Sequence, residues 1–133
     1  MTTLLPQRGA DVAPAPVSVS VHAVGEVAVL RCSGDLDLGA VEQFGAAVRA
    51  ALAGRPTGLV LDLSDVSFCD TVGLRLLLSA GSKARAQGCS IAAAGLSTAV
   101  EEFLVRVCAD RALPAYPDVS AAIEGLMFSG AWR

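Results

Sequence analysis

The sequence predicts a single small α/β domain: a mixed, mostly parallel sheet of four or five strands with helices packed against it. Short apolar runs of strand length alternate along the chain with longer stretches whose apolar residues recur every three or four positions. Glycine and proline mark most of the junctions between them. The length, 133 residues, is enough for one domain with a substantial core and hardly enough for two.

Residues 1–16 carry Pro6, Pro14 and Pro16 and no periodicity, the pattern of a flexible tail. Val17, Val19, Val21 and Ala23 then alternate with Ser18, Ser20 and His22, which predicts a half-exposed strand with His22 on its polar side. Gly25-Glu26 turns the chain into a second strand, Val27–Cys32, as a hairpin. After Gly34-Asp35-Leu36-Asp37, helix one is expected over 38–53, with Val41, Phe44, Val48 and Leu52 on one stripe, Asp37 as its cap, and Gly54 and Pro56 as its stop. Leu59–Leu63 has the unbroken apolar character of a strand covered on both faces.

Helix two spans 71–87 with Leu74, Leu77, Leu78 and Gly81 inward, and Cys89–Ala94 follows as a further strand. Thr98-Ala99-Val100-Glu101 fits a capping box opening helix three, whose stripe is Val100, Phe103, Leu104 and Val107. Leu113–Tyr116 is a short strand, and Asp118 opens a last helix with Val119, Ala122, Ile123 and Leu126. The expected domain is therefore 17–126, in the order β-β-α-β-α-β-α-β-α, with 127–133 as a tail that carries Trp132. Strands linked through single helices must run parallel, so only the opening hairpin is antiparallel.

Composition excludes several functions. The chain is 53% hydrophobic and 17% charged, with a net charge of −3. It has no cluster of Lys and Arg, so a nucleic-acid footprint is missing. Mean hydropathy is high at +0.57. Yet no apolar run approaches the roughly 20 residues of a spanning helix, and Arg75 interrupts the strongest, Val72–Ala80. With no signal-peptide pattern at the N-terminus, a cytoplasmic protein without direct membrane insertion is expected. Cys32, Cys69, Cys89 and Cys108 are widely separated and His22 is the sole histidine, so no metal site and no cofactor are expected.

No phosphate-binding glycine loop, dinucleotide fingerprint or nucleophile elbow occurs. Asp35, Asp37, Asp62 and Asp70 fall near predicted strand ends, where a parallel sheet binds ligands. The same aspartates serve equally as caps and turn formers, and no histidine supports them, so an enzyme is not expected. Thr71 stands apart, because the junction of strand and helix pushes its hydroxyl towards solvent. On pattern alone Thr71 or Asp70 reads most simply as a helix N-cap.

Asp62-Leu63-Ser64-Asp65-Val66-Ser67-Phe68-Cys69-Asp70-Thr71-Val72-Gly73-Leu74 closely resembles the signature of the STAS domain, a family that includes bacterial anti-anti-sigma factors. Gly34-Asp35-Leu36-Asp37 resembles the acidic turn that follows strand two in that family. The resemblance implies an anti-sigma factor antagonist. Its partner would be an anti-sigma factor that is also a serine/threonine kinase of the GHKL ATPase type, and binding would free a sigma factor. Phosphorylation at Thr71 would switch binding off, and a serine/threonine phosphatase would reset it. Asp37 and Asp70 would shape the docking surface and Asp35, Leu36, Val72 and Gly73 would line it, with Gly73 admitting the partner or its ATP close to the backbone. Well-known relatives carry serine where Thr71 stands and a small polar residue at Val72. Many have a glycine where this chain has Cys108-Ala109-Asp110. Asp-Thr-x-Gly-Leu also resembles STAS subunits of phospholipid ABC transporters, which act as structural partners.

Overall fold

The computed structural model describes residues 16–106 and 112–131. Five strands, β1 (Ser18–Val24), β2 (Val27–Leu36), β3 (Gly58–Cys69), β4 (Ser90–Ala94) and β5 (Ala115–Tyr116), form one sheet in sequential order. β1 pairs antiparallel with β2 through the turn at Gly25, whose φ of 61° suits glycine, and every other pairing is parallel. The helices are α1 (Val41–Ala53), α2 (Thr71–Ala86), α3 (Thr98–Arg106) and α4 (Val119–Ala131), and a single 3₁₀ turn, Leu38–Ala40, precedes α1. The expected element order is the observed one.

Strand register divides the core in two. Leu30, Leu61 and Ala93 lie opposite one another on neighbouring strands and belong to the larger cluster, with Phe44 and Val48 of α1, Leu74 and Leu77 of α2, and Phe103 and Leu104 of α3. One residue earlier, Val29, Val60 and Ala92 face the other way and meet Ala122 and Leu126 of α4. That alternation follows from the two-residue period of a strand. Gly58 lets α4 approach, since a Cβ there would stand 2.9 Å from Leu126 Cδ1. α4 covers only the lower half of its face. Higher up, exposed Arg31 and Asp65 form an ion pair at 2.5 Å in open solvent.

Four expectations need correction. β2 and β3 do not stop at Cys32 and Leu63 but run on to Leu36 and Cys69. The sequence hides this because the pairing shifts register between Arg31 and Ser33 and between Gly34 and Asp35. Those bulges break the apolar rhythm, so Gly34-Asp35-Leu36 is strand and not a turn. Leu38 is 76% exposed and off the α1 stripe, because a 3₁₀ turn advances each residue further round the axis than an α-helix does. The cap of α3 is Ser97, whose Oγ accepts from Val100 N at 3.3 Å, while Thr98 is already helical. α4 continues to Ala131, past the Leu126 at which the apolar pattern ended. Val107, Cys108, Trp132 and residues 1–15 lie outside the described residues.

Leu61 is fully buried at the centre of the larger cluster. Leu61→Ala is expected to lower unfolding free energy by about 3 kcal/mol, whereas exposed Leu38→Ala changes it by less than about 0.5 kcal/mol. Urea denaturation of both variants checks this.

Candidate functional site

The carboxyl ends of β2 and β3 bring the two acidic segments side by side. Leu36 pairs with Cys69 as the last step of the parallel ladder, and the carbonyl of Leu36 then accepts from Asp70 N at 3.3 Å. Asp70 is the single residue between β3 and α2. Its backbone is extended, with φ of −107°, and its side chain caps α2 by accepting from Gly73 N at 3.0 Å. Asp37 does the same for the 3₁₀ turn, where its Oδ1 accepts from Gly39 N at 3.0 Å. The capping ambiguity in the sequence is thereby resolved. Asp70 is the cap and Thr71 is the first helical residue, exposed, with its hydroxyl unbonded among the described residues.

Of the residues expected at a docking surface, Thr71 is exposed, and Asp37, Asp70 and Val72 are partly so. Asp35 is 4% exposed and Leu36 is 0%. Gly73 is buried as well, and a Cβ on it would collide with the carbonyl oxygen of Leu36 and stand 2.9 Å from Cys69 Sγ. The close approach that Gly73 permits is therefore that of β2 within the chain. Asp35, Leu36 and Gly73 lie beneath the turn, and Leu38 and Arg75, which the sequence did not mark as site residues, are exposed on the same two segments. The signal for Arg75 was in the sequence, since it is the one charge among the apolar residues 72–80.

A cavity below this end of the sheet, lined by Leu36, Leu63, Val66, Cys69, Leu77, Leu96, Ser97 and Val100, measures about 20 Å³, the space of one water molecule. Among the described residues no group of three His, Cys, Asp or Glu is placed to hold a metal ion, and no helix is long and apolar enough to cross a membrane. Cys32, Cys69 and Cys89 are free buried thiols. Burial pushes Cys69 up to about 12, aided by the Asp70 charge, and burial with Asp62 does the same for Cys32. Neither thiol is a nucleophile at neutral pH. His22 is exposed on β1, opposite Val29, well down the sheet from Thr71.

The chain belongs to the STAS domain family: the family model described as "Mlab, STAS domain" matches residues 19–114. Among individual relatives, it is 38% identical over 71 residues to the anti-sigma-F factor antagonist RsfB of Mycobacterium tuberculosis. That match covers 53% of this chain and 58% of the relative, so the chain spans little more than half of the relative's length. The crystal structure of an anti-sigma factor antagonist from Mycobacterium paratuberculosis superposes with a TM-score of 0.77 at 26% identity, covering 86% of this chain and 97% of that one. The anti-sigma factor antagonist SpoIIAA in its unphosphorylated form superposes with a TM-score of 0.68 at 22% identity, covering 84% and 97%, a likeness of fold.

Gly73→Ala is expected to destabilise the protein by at least about 3 kcal/mol, because the clash is with backbone that cannot swing aside. Asp70→Ala, which removes only a cap, costs about 1 kcal/mol. Thermal unfolding of the two variants ranks them. The thiols set an alkaline limit. Between the ordinary thiol value of 9.0 and about 12, the folded chain keeps protons that the unfolded chain has lost, so stability falls as pH rises. The slope reaches about 1.4 kcal/mol per pH unit for each thiol. The double variant Cys32→Ala/Cys69→Ala is expected to lose about 3 kcal/mol less than wild type between pH 8 and pH 10, as read by denaturant titration at both values.

Proposed function

We propose that this chain is a cytoplasmic anti-sigma factor antagonist, a regulatory binding protein and not an enzyme, whose binding is switched off by phosphorylation of Thr71. The observation that carries the reading is the division of labour at the junction of β3 and α2. Asp70 does the capping, which leaves the Thr71 hydroxyl exposed and unbonded, on a helix start held rigidly against β2. The family supports the partner class. RsfB and the Mycobacterium paratuberculosis protein are described as antagonists of anti-sigma factors, and the SpoIIAA description names a phosphorylation state.

The partner in this reading is an anti-sigma factor that is itself a GHKL-type serine/threonine kinase. It docks on Asp37, Leu38, Asp70, Thr71, Val72 and Arg75, above the buried support of Asp35, Leu36 and Gly73. Phosphoryl transfer forms a bond between Thr71 Oγ1 and the γ-phosphorus of ATP. The bond from that phosphorus to the bridging oxygen breaks, ADP leaves, and the hydroxyl proton passes to a base on the kinase. The product adds about −1.5 to −2 charges beside Asp70 and Asp37. Its desolvation against apolar Leu38 and Val72 opposes redocking. A penalty of about 3–4 kcal/mol lowers affinity by about 10²–10³-fold, and a serine/threonine phosphatase reverses it.

With a cognate anti-sigma kinase and ATP, wild type is expected to gain one phosphate by mass spectrometry and Thr71→Ala none. Thr71→Glu is expected to bind the unphosphorylated partner at least about tenfold more weakly, since 1.4 kcal/mol is one decade. Phosphate retained in Thr71→Ala overturns the acceptor assignment. A pull-down from cell extract that recovers phospholipid ABC transporter subunits and no anti-sigma kinase replaces the partner assignment with the transporter one.

A further inference from the structure

Residues 71–78 of α2, Thr-Val-Gly-Leu-Arg-Leu-Leu-Leu, contain one charged side chain, Arg75. Gly73, Leu74 and Leu77 point into the core, Val72, Leu76 and Leu78 are half-buried, and Thr71, Arg75 and Ser79 are exposed. Thr71 and Arg75 thus stand one turn apart on the solvent ridge of the helix, the spacing at which side chains meet. Helical side chains lean towards the N-terminus, which puts the turn that holds Thr71 within reach of the Arg75 guanidinium. Among the described residues Arg75 has no ion-pair partner; the one ion pair recorded there is Arg31 with Asp65. Among the described residues, the other charges on the segments that meet at this corner are acidic: Asp70 on the cap, Asp35 and Asp37 at the end of β2, and Glu42 in the first turn of α1.

We infer that Arg75 is the residue that receives the phosphate, closing onto phosphothreonine 71 along the ridge of α2. This rests on the reading of Thr71 as the acceptor and adds the chain's own answer to the new charge. An anion placed four residues before a cation is the favourable order on a helix, and a guanidinium binds phosphate oxygens through two parallel N–H donors. Phosphorylation then changes the docking surface twice. It adds a dianion, and it withdraws Arg75 from any acidic group that the partner would set against it. Arg75 is a positioning residue for the phosphate and takes no part in its transfer.

The test uses the full chain with phosphothreonine inserted at residue 71 during translation, so that no kinase is needed. The second ionisation of the phosphate, near pH 6 for a free phosphothreonine, is followed by phosphorus NMR. At low salt the midpoint is expected about 0.3 pH unit lower in wild type than in Arg75→Gln, with Arg75→Lys between them and the gap narrowing at about 1 M salt. The surrounding carboxylates raise the midpoint in all three proteins alike and cancel in the comparison. Lys83→Gln, a distant cation on the same helix, is expected to leave the midpoint unmoved. Equal midpoints for wild type and Arg75→Gln, or an equal shift from Lys83→Gln, overturn the inference. A chain that the kinase does not phosphorylate overturns the acceptor reading instead and leaves this measurement intact.

Discussion

The first turn of α2 rests on the backbone of the last residue of β2, with no side chain between them. Gly73 makes this contact possible, and the Leu36 carbonyl occupies the space that any Cβ would take. Much of the candidate site follows from it. The contact draws Asp70 N onto the Leu36 carbonyl, extends the β2–β3 ladder to its final pair, and sets the Asp37 and Asp70 turns next to each other. It also fixes the direction in which α2 leaves the sheet, and so which of its residues are exposed.

The proposed binding switch needs a rigid support beneath an accessible hydroxyl. The support is dense and inert: Asp35, Leu36 and Gly73 are buried, and Cys69 beneath the turn is held protonated. Thr71, the proposed acceptor, is exposed, and capping is assigned to another residue. Asp70 meets the unpaired N–H of Gly73, so the Thr71 hydroxyl is not consumed by the helix. Among the described residues, the charge on the segments that meet here is acidic except for Arg75. An added phosphate therefore meets repulsion on several sides and one cation on its own helix ridge.

The site was less legible than the fold, for local reasons. The apolar stripes of α1, α2 and α4 reflect a period of 3.6 residues: Phe44, Val48, Leu77 and Leu126 are buried, while Val41, at the head of the α1 stripe, is 39% exposed. Periodicity fails where geometry is irregular. Bulges in the β2–β3 pairing disguised strand as turn, so Asp35 and Leu36 read as surface when they are interior. Helix one was expected from residue 38, but Leu38–Ala40 is a 3₁₀ turn that leaves Leu38 exposed. At α3, Ser97 and Thr98 are both good caps, and only the backbone chose between them.

By itself the sequence determined the order of the elements, the parallel sheet with one antiparallel strand, and the position of the conspicuous hydroxyl. These depend on near-neighbour chemistry: apolar period, caps and chain breakers within a few residues of each other. The tertiary structure decided what depends on residues distant in sequence. It made Asp70 the cap and left the Thr71 hydroxyl exposed, turned Gly73 towards Leu36, and exposed Leu38 and Arg75 on the segments that follow β2 and β3. Those outcomes depend on how β2, some 35 residues earlier in the chain, lies against α2, and no local pattern encodes that contact.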